Sequence, residues 1–111
     1  MAGDPRARRL AENEAAFRSV NEGVKNLAER QGRDDHLFQF LCECSNPSCT
    51  ELLRMTLDDY EAVRAKGNRF ALAAGHEDLR IERVVESLPG YEIVEKFGEG
   101  ADVARQLDPR G

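Results

Sequence analysis

The sequence has no tryptophan, only two histidines and no long apolar run, and each absence narrows the classes of protein it can encode. Without a stretch of about 18 apolar residues, nothing predicts a membrane-spanning helix. The first 17 residues lack the apolar core of a signal peptide, so we expect a cytoplasmic protein. Aromatic residues make up 6% and charged residues 33% of the 111 positions, which is typical of one globular domain with a modest core.

Positive charge is scarce in most of the chain. Residues 1–33 carry seven Lys/Arg against five Asp/Glu, whereas residues 34–111 carry nine against sixteen. Binding to nucleic acid depends on neutralising phosphates with basic side chains. The acidic body therefore predicts no nucleic-acid partner, and the absence of an apolar segment predicts no membrane partner.

Cysteine is also rare, but all three cysteines fall within "LCECSNPSCTE", residues 41–51. An odd number cannot close into disulfide pairs, and a reducing compartment keeps thiols reduced. The cluster therefore favours metal binding or thiol chemistry over a disulfide framework.

One long helix is predicted near the N-terminus, with Asp4 and Pro5 as start signals and Gly32 as the stop signal. Apolar residues inside it repeat at alternating spacings of three and four, with Asn13 as the one polar member. The spacing favours an amphipathic helix packed on its own domain; the alternative is pairing with a partner helix or a second copy, in which Asn13 sets the register. The repeat consists of Leu10, Asn13, Phe17, Val20, Val24 and Leu27.

Period-two alternation predicts strands on both sides of the cysteine cluster and again at residues 69–76. Between them, Thr56 and Asp59 have the spacing of a capping box, which predicts a helix over residues 57–66. Residues 81–88 fit either a helix or a strand, although the Pro89-Gly90 turn that follows favours a hairpin with residues 91–97. We expect the tail, residues 98–111, to fray around one or two helical turns.

The residue types in the cluster suit a zinc ion. Zinc in structural sites takes four tetrahedral ligands and prefers thiolate sulfur and imidazole nitrogen. Cys42, Cys44 and Cys49 supply three. Residues i and i+2 of an extended strand lie roughly 6.6 Å apart, so Cys42 and Cys44 can share one ion only if the chain bends between them.

The fourth ligand is predicted to be His76 rather than His36. His76 follows Gly75 at the end of a predicted strand, as the cysteines do at the end of theirs. His36 lies six residues before Cys42, and an extended chain of that length spans about 20 Å. The predicted metal site is therefore Cys42, Cys44, Cys49 and His76, with zinc as the cofactor.

Two other interpretations of the cysteines stay open. A thiol redox site is one, and inert buried thiols are the other, because free cysteine is among the residues most often buried. The polar residues between the cysteines make an unusual core, which favours a metal. The spacing C-x-C-x4-C is less specific than two C-x2-C pairs.

Several segments resemble a family of small uncharacterised actinobacterial proteins over roughly residues 10–97. The segments are "NEAAFRSVNE", "FLCECSNPSCTE", "MTLDDYEAVRAKGNRF", "AGHEDLRIERVVE" and "YEIVEK". The resemblance places His76 in a recurring Gly-His pair and implies no activity. Ala74 and Leu79 stand where prolines are expected, which implies looser loops.

These observations together predict an α+β fold with three parts: an N-terminal helix (1–33), a zinc-stapled core (34–97) and the tail. The helix is expected to pack on a small, mainly antiparallel sheet of four or five strands, with one short helix and the cysteines at a hairpin tip. No phosphate-binding loop or catalytic triad motif is present. We therefore expect a non-enzymatic zinc protein that binds another protein or itself through the helix; the alternatives are a thiol/zinc redox switch and a metallo-hydrolase.

Overall fold

The structure is a computed structural model that describes residues 5–31 and 36–110. Its α+β architecture, with a long N-terminal helix, is the predicted fold class. The predicted helix caps Asp4 and Gly32 lie outside the described residues. In chain order the elements are α1 (Pro5–Gln31), β1 (Phe38–Leu41), β2 (Leu52–Met55), α2 (Leu57–Arg64), β3 (Arg69–Leu72), β4 (Glu82–Leu88), β5 (Tyr91–Lys96) and α3 (Gly98–Gln106).

The five strands form two small antiparallel sheets rather than one. One sheet is the hairpin β1-β2, and the other has the order β3-β5-β4. The division arises where β1 ends, because the chain then turns toward β3 and Glu43 N–H donates to the Ala71 carbonyl at 2.8 Å. Because of this turn from β1 toward β3, the cysteine segment lies between the two sheets.

Local signals correctly predicted two elements. Thr56 Oγ1 accepts a hydrogen bond from Asp59 N–H at 3.1 Å, and Asp59 Oδ2 accepts from Thr56 N–H at 3.2 Å, so the capping box starts α2. The ambiguous residues 82–88 are strand β4, paired with β5 across a turn in which Gly90 has φ +89°. A left-handed φ suits glycine, which carries no Cβ.

Helix α1 packs on its own domain, as expected, but only part of the predicted apolar repeat faces it: Leu10, Phe17 and Val24 are half-buried, and Val24 packs against the core. Val20 and Leu27 of that repeat are 53% and 61% exposed. Asn13 Nδ2 donates to the Ser45 carbonyl within the same chain, so this side chain is not available to set the register of a helix pair. The buried face combines small and polar residues instead: Ala11, Glu14, Ala15, Arg18, Asn21 and Ala28.

The tail contains the predicted helical turns, but it is packed against the domain rather than frayed. Residues 98–106 form α3, which packs against α1, and Arg18 joins the two helices by donating to the Ala104 carbonyl at 2.6 Å. Beyond α3, Asp108 pairs with Arg64, and Arg110 pairs with Glu22. These contacts need partners far along the chain, which is why the tail's own sequence did not reveal them.

Candidate metal centre

The cysteines lie where the β1-β2 hairpin opens into its loop. Regular β1 structure stops at Leu41, and beyond it the ligand atoms of Cys42 and Cys44 lie within 4.8 Å of each other, close enough to share an ion. Cys49 N–H donates to the Asn46 carbonyl at 3.0 Å, which closes the turn and returns the third thiol to the other two. Cys42 and Cys44 are buried, and Cys49 is half-buried.

Glu43, between the first two cysteines, anchors this segment. Its side chain is fully buried, and its carboxylate accepts hydrogen bonds from Ala71 N–H at 3.0 Å, Asn21 Nδ2 at 2.9 Å and Tyr60 Oη at 3.0 Å. Burial raises the pKa of Glu43, although these donors oppose the rise. With its carboxylate bound to α1, α2 and β3, Glu43 fixes the backbone that carries Cys42 and Cys44.

His76 reaches the cluster from the connection between β3 and β4. Gly75 has φ +88°, a conformation that strongly favours glycine, and His76 N–H then donates to the Ala73 carbonyl at 3.0 Å. This tight turn brings His76 Nδ1 to 3.6 Å from both Cys42 Sγ and Cys49 Sγ.

The four side chains lie close enough together to hold one metal ion. One ligand atom from each of Cys42, Cys44, Cys49 and His76 lies within 4.8 Å of the others. In a tetrahedron with Zn–S near 2.3 Å and Zn–N near 2.0 Å, a sulfur and a nitrogen are separated by about 3.6 Å. The two Sγ–Nδ1 distances therefore already match the edge of a tetrahedral site.

The electrostatic surroundings of the thiols also suit a cation. Burial raises the pKa of both Cys42 and Cys44, so these thiols resist ionisation on their own. Ala73 N–H nevertheless points at Cys42 Sγ, 3.1 Å away, and such a donor stabilises a thiolate. A bound divalent cation deprotonates coordinating thiols outright, which would turn this contact into a charge-assisted hydrogen bond.

The other histidine lies elsewhere. His36 is exposed, and its ring lies against Phe38 with 4.5 Å between ring centroids. Among the described residues, the group that can hold an ion contains His76 and not His36. The structure thus brings together the four residues predicted from the sequence.

Sequence reasoning missed the groups that support the cluster. Besides Glu43, it missed Glu92 on β5, whose Oε1 accepts from Gly75 N–H at 3.4 Å beside His76. Burial, together with the neighbouring Glu77 carboxylate, raises the pKa of Glu92 to about 7. Strand alternation puts Glu43 on the opposite side from its neighbouring cysteines, but no local pattern identifies Asn21 or Glu92 as supporting residues.

The comparisons with known proteins add no relative. No protein-family model, no curated protein and no solved structure matches the chain. The resemblance to small actinobacterial proteins therefore stays a prediction. In the described part of the chain, no helix has the length and apolar character needed to cross a membrane.

Proposed function

We propose that this chain is a small, non-enzymatic protein that binds structural zinc and acts as a protein-interaction module in the cytoplasm. The observation that carries the proposal is the Cys42, Cys44, Cys49 and His76 group, whose ligand atoms lie within 4.8 Å of one another. Three soft sulfurs and one imidazole in a group this small suit zinc better than the harder ions that prefer oxygen. Three free thiols also fit a reducing compartment.

A structural role is favoured over catalysis because His76 takes the fourth position. Catalytic zinc keeps one position open for water or substrate, whereas structural sites close the tetrahedron with protein ligands. The site also joins segments that are far apart in sequence, since it would tie the β1-β2 loop to the β3-β4 connection. Zinc here would stabilise the arrangement of both sheets.

The proposed partner is another protein, or a second copy that associates through α1. Support comes from the apolar side chains that α1 leaves in solvent, Val20 and Leu27, together with a chain whose net charge of −5 does not favour nucleic acid. Sedimentation over a range of protein concentrations tests the second form. A monomer at every concentration would remove self-association and leave the protein partner.

A zinc-release redox switch is the second candidate, and the half-buried Cys49 favours it. Peroxide could oxidise two of the thiolates to a disulfide and be reduced to water, which would remove two ligands and free the ion. If stoichiometric peroxide releases zinc reversibly with thiol reductant, the switch is supported. Zinc that stays bound under those conditions would contradict it.

Elemental analysis of the purified protein, with thiol titration before and after chelation, tests the metal site. We expect one zinc per chain, thiols that react slowly until chelator is added, and a lower melting temperature after the metal is removed. Cys42→Ser and Cys49→Ser should each lose metal, while His36→Ala should retain it. Equal metal content in all four proteins would contradict the site.

A further inference from the structure

Unpaired strand edges attract other strands, and two of the edges in this fold are closed by single side chains. On β1, Asn21 takes the place of a neighbouring strand: its Oδ1 accepts from Leu41 N–H at 2.8 Å and its Nδ2 donates to the Leu41 carbonyl at 2.9 Å. On β3, Glu43 occupies both backbone groups of Ala71. Its own N–H donates to the Ala71 carbonyl, and its side-chain Oε1 accepts from Ala71 N–H. Each contact occupies the outward backbone groups of one residue and so interrupts pairing along that edge.

The outer edge of β4 is protected from pairing with another strand by a bulge and by charged side chains. A bulge between Val84 and Glu86 interrupts its register with β5, and Arg83 and Glu86 place charges along the exposed strand. Bulges and charged side chains are common devices against edge-to-edge pairing. This edge is therefore a poor template for an added strand.

The outer edge of β2 has none of these protections in the described part of the chain. Leu41 pairs in register with Leu52, and both backbone groups of Leu41 point away from β2, toward Asn21. In an antiparallel ladder, the backbone groups of Leu52 and of Arg54, two residues on, must then point away from β1. None of these four N–H and C=O groups has a hydrogen-bond partner within residues 5–31 or 36–110.

A groove adjoins this open strand. It has a volume of about 550 Å³ and lies between β2 and the β4-β5 turn, with apolar walls from Leu37, Leu52, Leu88 and Tyr91. Leu52 is 48% exposed. Arg54 and Asp59 also line the groove. The Asp59 carboxylate caps α2 by accepting from Thr56 N–H, and Arg54 forms no ion pair with a described residue. The groove thus combines unpaired backbone groups, apolar surface and an arginine without a carboxylate partner.

We propose that the β2 edge is the docking site for an extended, acidic peptide segment of a partner protein. The peptide would add a strand beside β2 through the backbone groups of Leu52 and Arg54, place an apolar side chain in the groove and set a carboxylate against Arg54. This inference rests on the proposed function, for which it names the surface and the chemistry of the partner.

Charge favours a different protein over a second copy of this chain at this edge. In β2 the residues whose backbone groups point away from β1 are the even-numbered ones. If two β2 edges paired antiparallel, even-numbered residues of one copy would lie opposite even-numbered residues of the other. Arg54 would then lie opposite Thr50, Leu52, Arg54 or Thr56 of the other copy, and none of these is acidic. Only a partner with a different sequence supplies the missing carboxylate.

Random nonapeptides displayed on phage and selected on the full-length, zinc-loaded chain provide the test. We expect enriched peptides to alternate apolar residues with Asp or Glu, and the synthetic version of the most enriched one to shift the amide NMR signals of Leu52 and Arg54. Arg54→Glu should weaken that peptide at least tenfold, and changing the peptide's acid to lysine should restore binding to the variant. Arg30→Glu, the same charge change at an exposed residue of α1 that does not line the groove, is the matched control and should bind as the parent does.

Several results would overturn the proposal. These are a selection with no enriched sequence, peptides that bind Arg54→Glu as tightly as the parent, shifts confined to α1, or a dimer joined through β2. Methylating the backbone nitrogens that face β2 should abolish binding, and unaffected binding would also contradict an added strand. Zinc content measured on the same samples separates the docking site from the metal site. One zinc per chain without peptide binding would contradict only the docking site, and peptide binding without zinc would contradict only the metal site.

Discussion

Two regions of this molecule bury ionisable side chains, and they differ in whether the chain itself supplies a counter-charge. At the interface of α1 with the β3-β5-β4 sheet, Lys96 lies between Glu14 and Glu82, and all three side chains are fully buried. Here the chain supplies both charges. At the cysteine cluster three thiols, which are potential anions, approach one another and His76 within 4.8 Å.

The pKa values reflect this contrast. Burial raises the pKa of Glu14 well above its ordinary value, while the Lys96 ammonium opposes the rise. Burial also raises the pKa of Cys42, and the group that chiefly opposes the rise is the Ala73 N–H rather than an ammonium. A buried cluster of ionisable groups is stable when a counter-charge accompanies it. The comparison teaches that the helix interface carries a counter-charge of its own, and it supports the proposal that a metal ion supplies the counter-charge at the cysteine cluster.

Among the variants that test this comparison, Lys96→Met is expected to lower the free energy of unfolding most. Removing the cation leaves Glu14 and Glu82 buried without a counter-charge, and breaking such a buried pair costs about 3–5 kcal/mol. Urea unfolding at pH 7 measures the loss. Lys25→Met is the control, because Lys25 forms a surface ion pair with Glu29 at 3.0 Å and should change stability by less than about 1 kcal/mol. Equal losses in the two variants would mean that the interface does not depend on its buried charges.

A smaller effect is expected where the two regions meet, at Glu43. Glu43→Leu removes the acceptor shared by Ala71 N–H, Asn21 and Tyr60, and leaving buried donors unpaired costs about 1–3 kcal/mol. The variant should also bind zinc roughly tenfold more weakly, as is typical when support for metal ligands is lost. Competition with a chromogenic chelator measures the affinity. Glu51→Leu, which changes an exposed carboxylate beside β2, is the control and should keep the zinc affinity of the parent. Equal zinc affinities for the two variants would show that Glu43 does not support the metal site.

The smallest effect concerns the tail and depends on pH. Burial alone would raise the pKa of Asp108, but the Arg110 N–H and the Arg64 guanidinium hold it below its ordinary value of 3.8. A lowered pKa in the folded state adds stability above pH 3.8 that is lost as the pH falls through the folded value. Asp108→Asn should therefore cost about 1–2 kcal/mol at pH 7 and progressively less below pH 4. Urea midpoints between pH 2.5 and 7 test this, with exposed Asp102→Asn as the control; a cost that does not diminish in acid would contradict the ion pairs.

The sequence predicted what short-range patterns determine. The Thr56-Asp59 spacing gave the start of α2, the Pro89-Gly90 turn gave the hairpin, and the cysteine spacing with Gly75-His76 gave the candidate site. It failed for the buried face of α1, because Glu14 and Arg18 are buried only through partners such as Lys96 and Ala104, more than 80 residues away. The apolar repeat on the same helix predicted that face only in part, because Val24 packs against the core whereas Val20 and Leu27 are exposed. Polar burial follows from tertiary pairing, which local periodicity does not record.

The most direct test of the central claim, that the cysteine cluster is completed by a metal ion held by His76, is the absorption spectrum of the cobalt-substituted protein. We expect one cobalt per chain, with thiolate charge-transfer bands and visible bands typical of a tetrahedral site. His76→Ala should change that spectrum and weaken metal binding by roughly one to two orders of magnitude, by analogy with losing a group that supports a metal ligand. His36→Ala should leave both unchanged. If the spectrum instead survives His76→Ala and changes with His36→Ala, or if no metal binds at all, the account of the cluster is wrong.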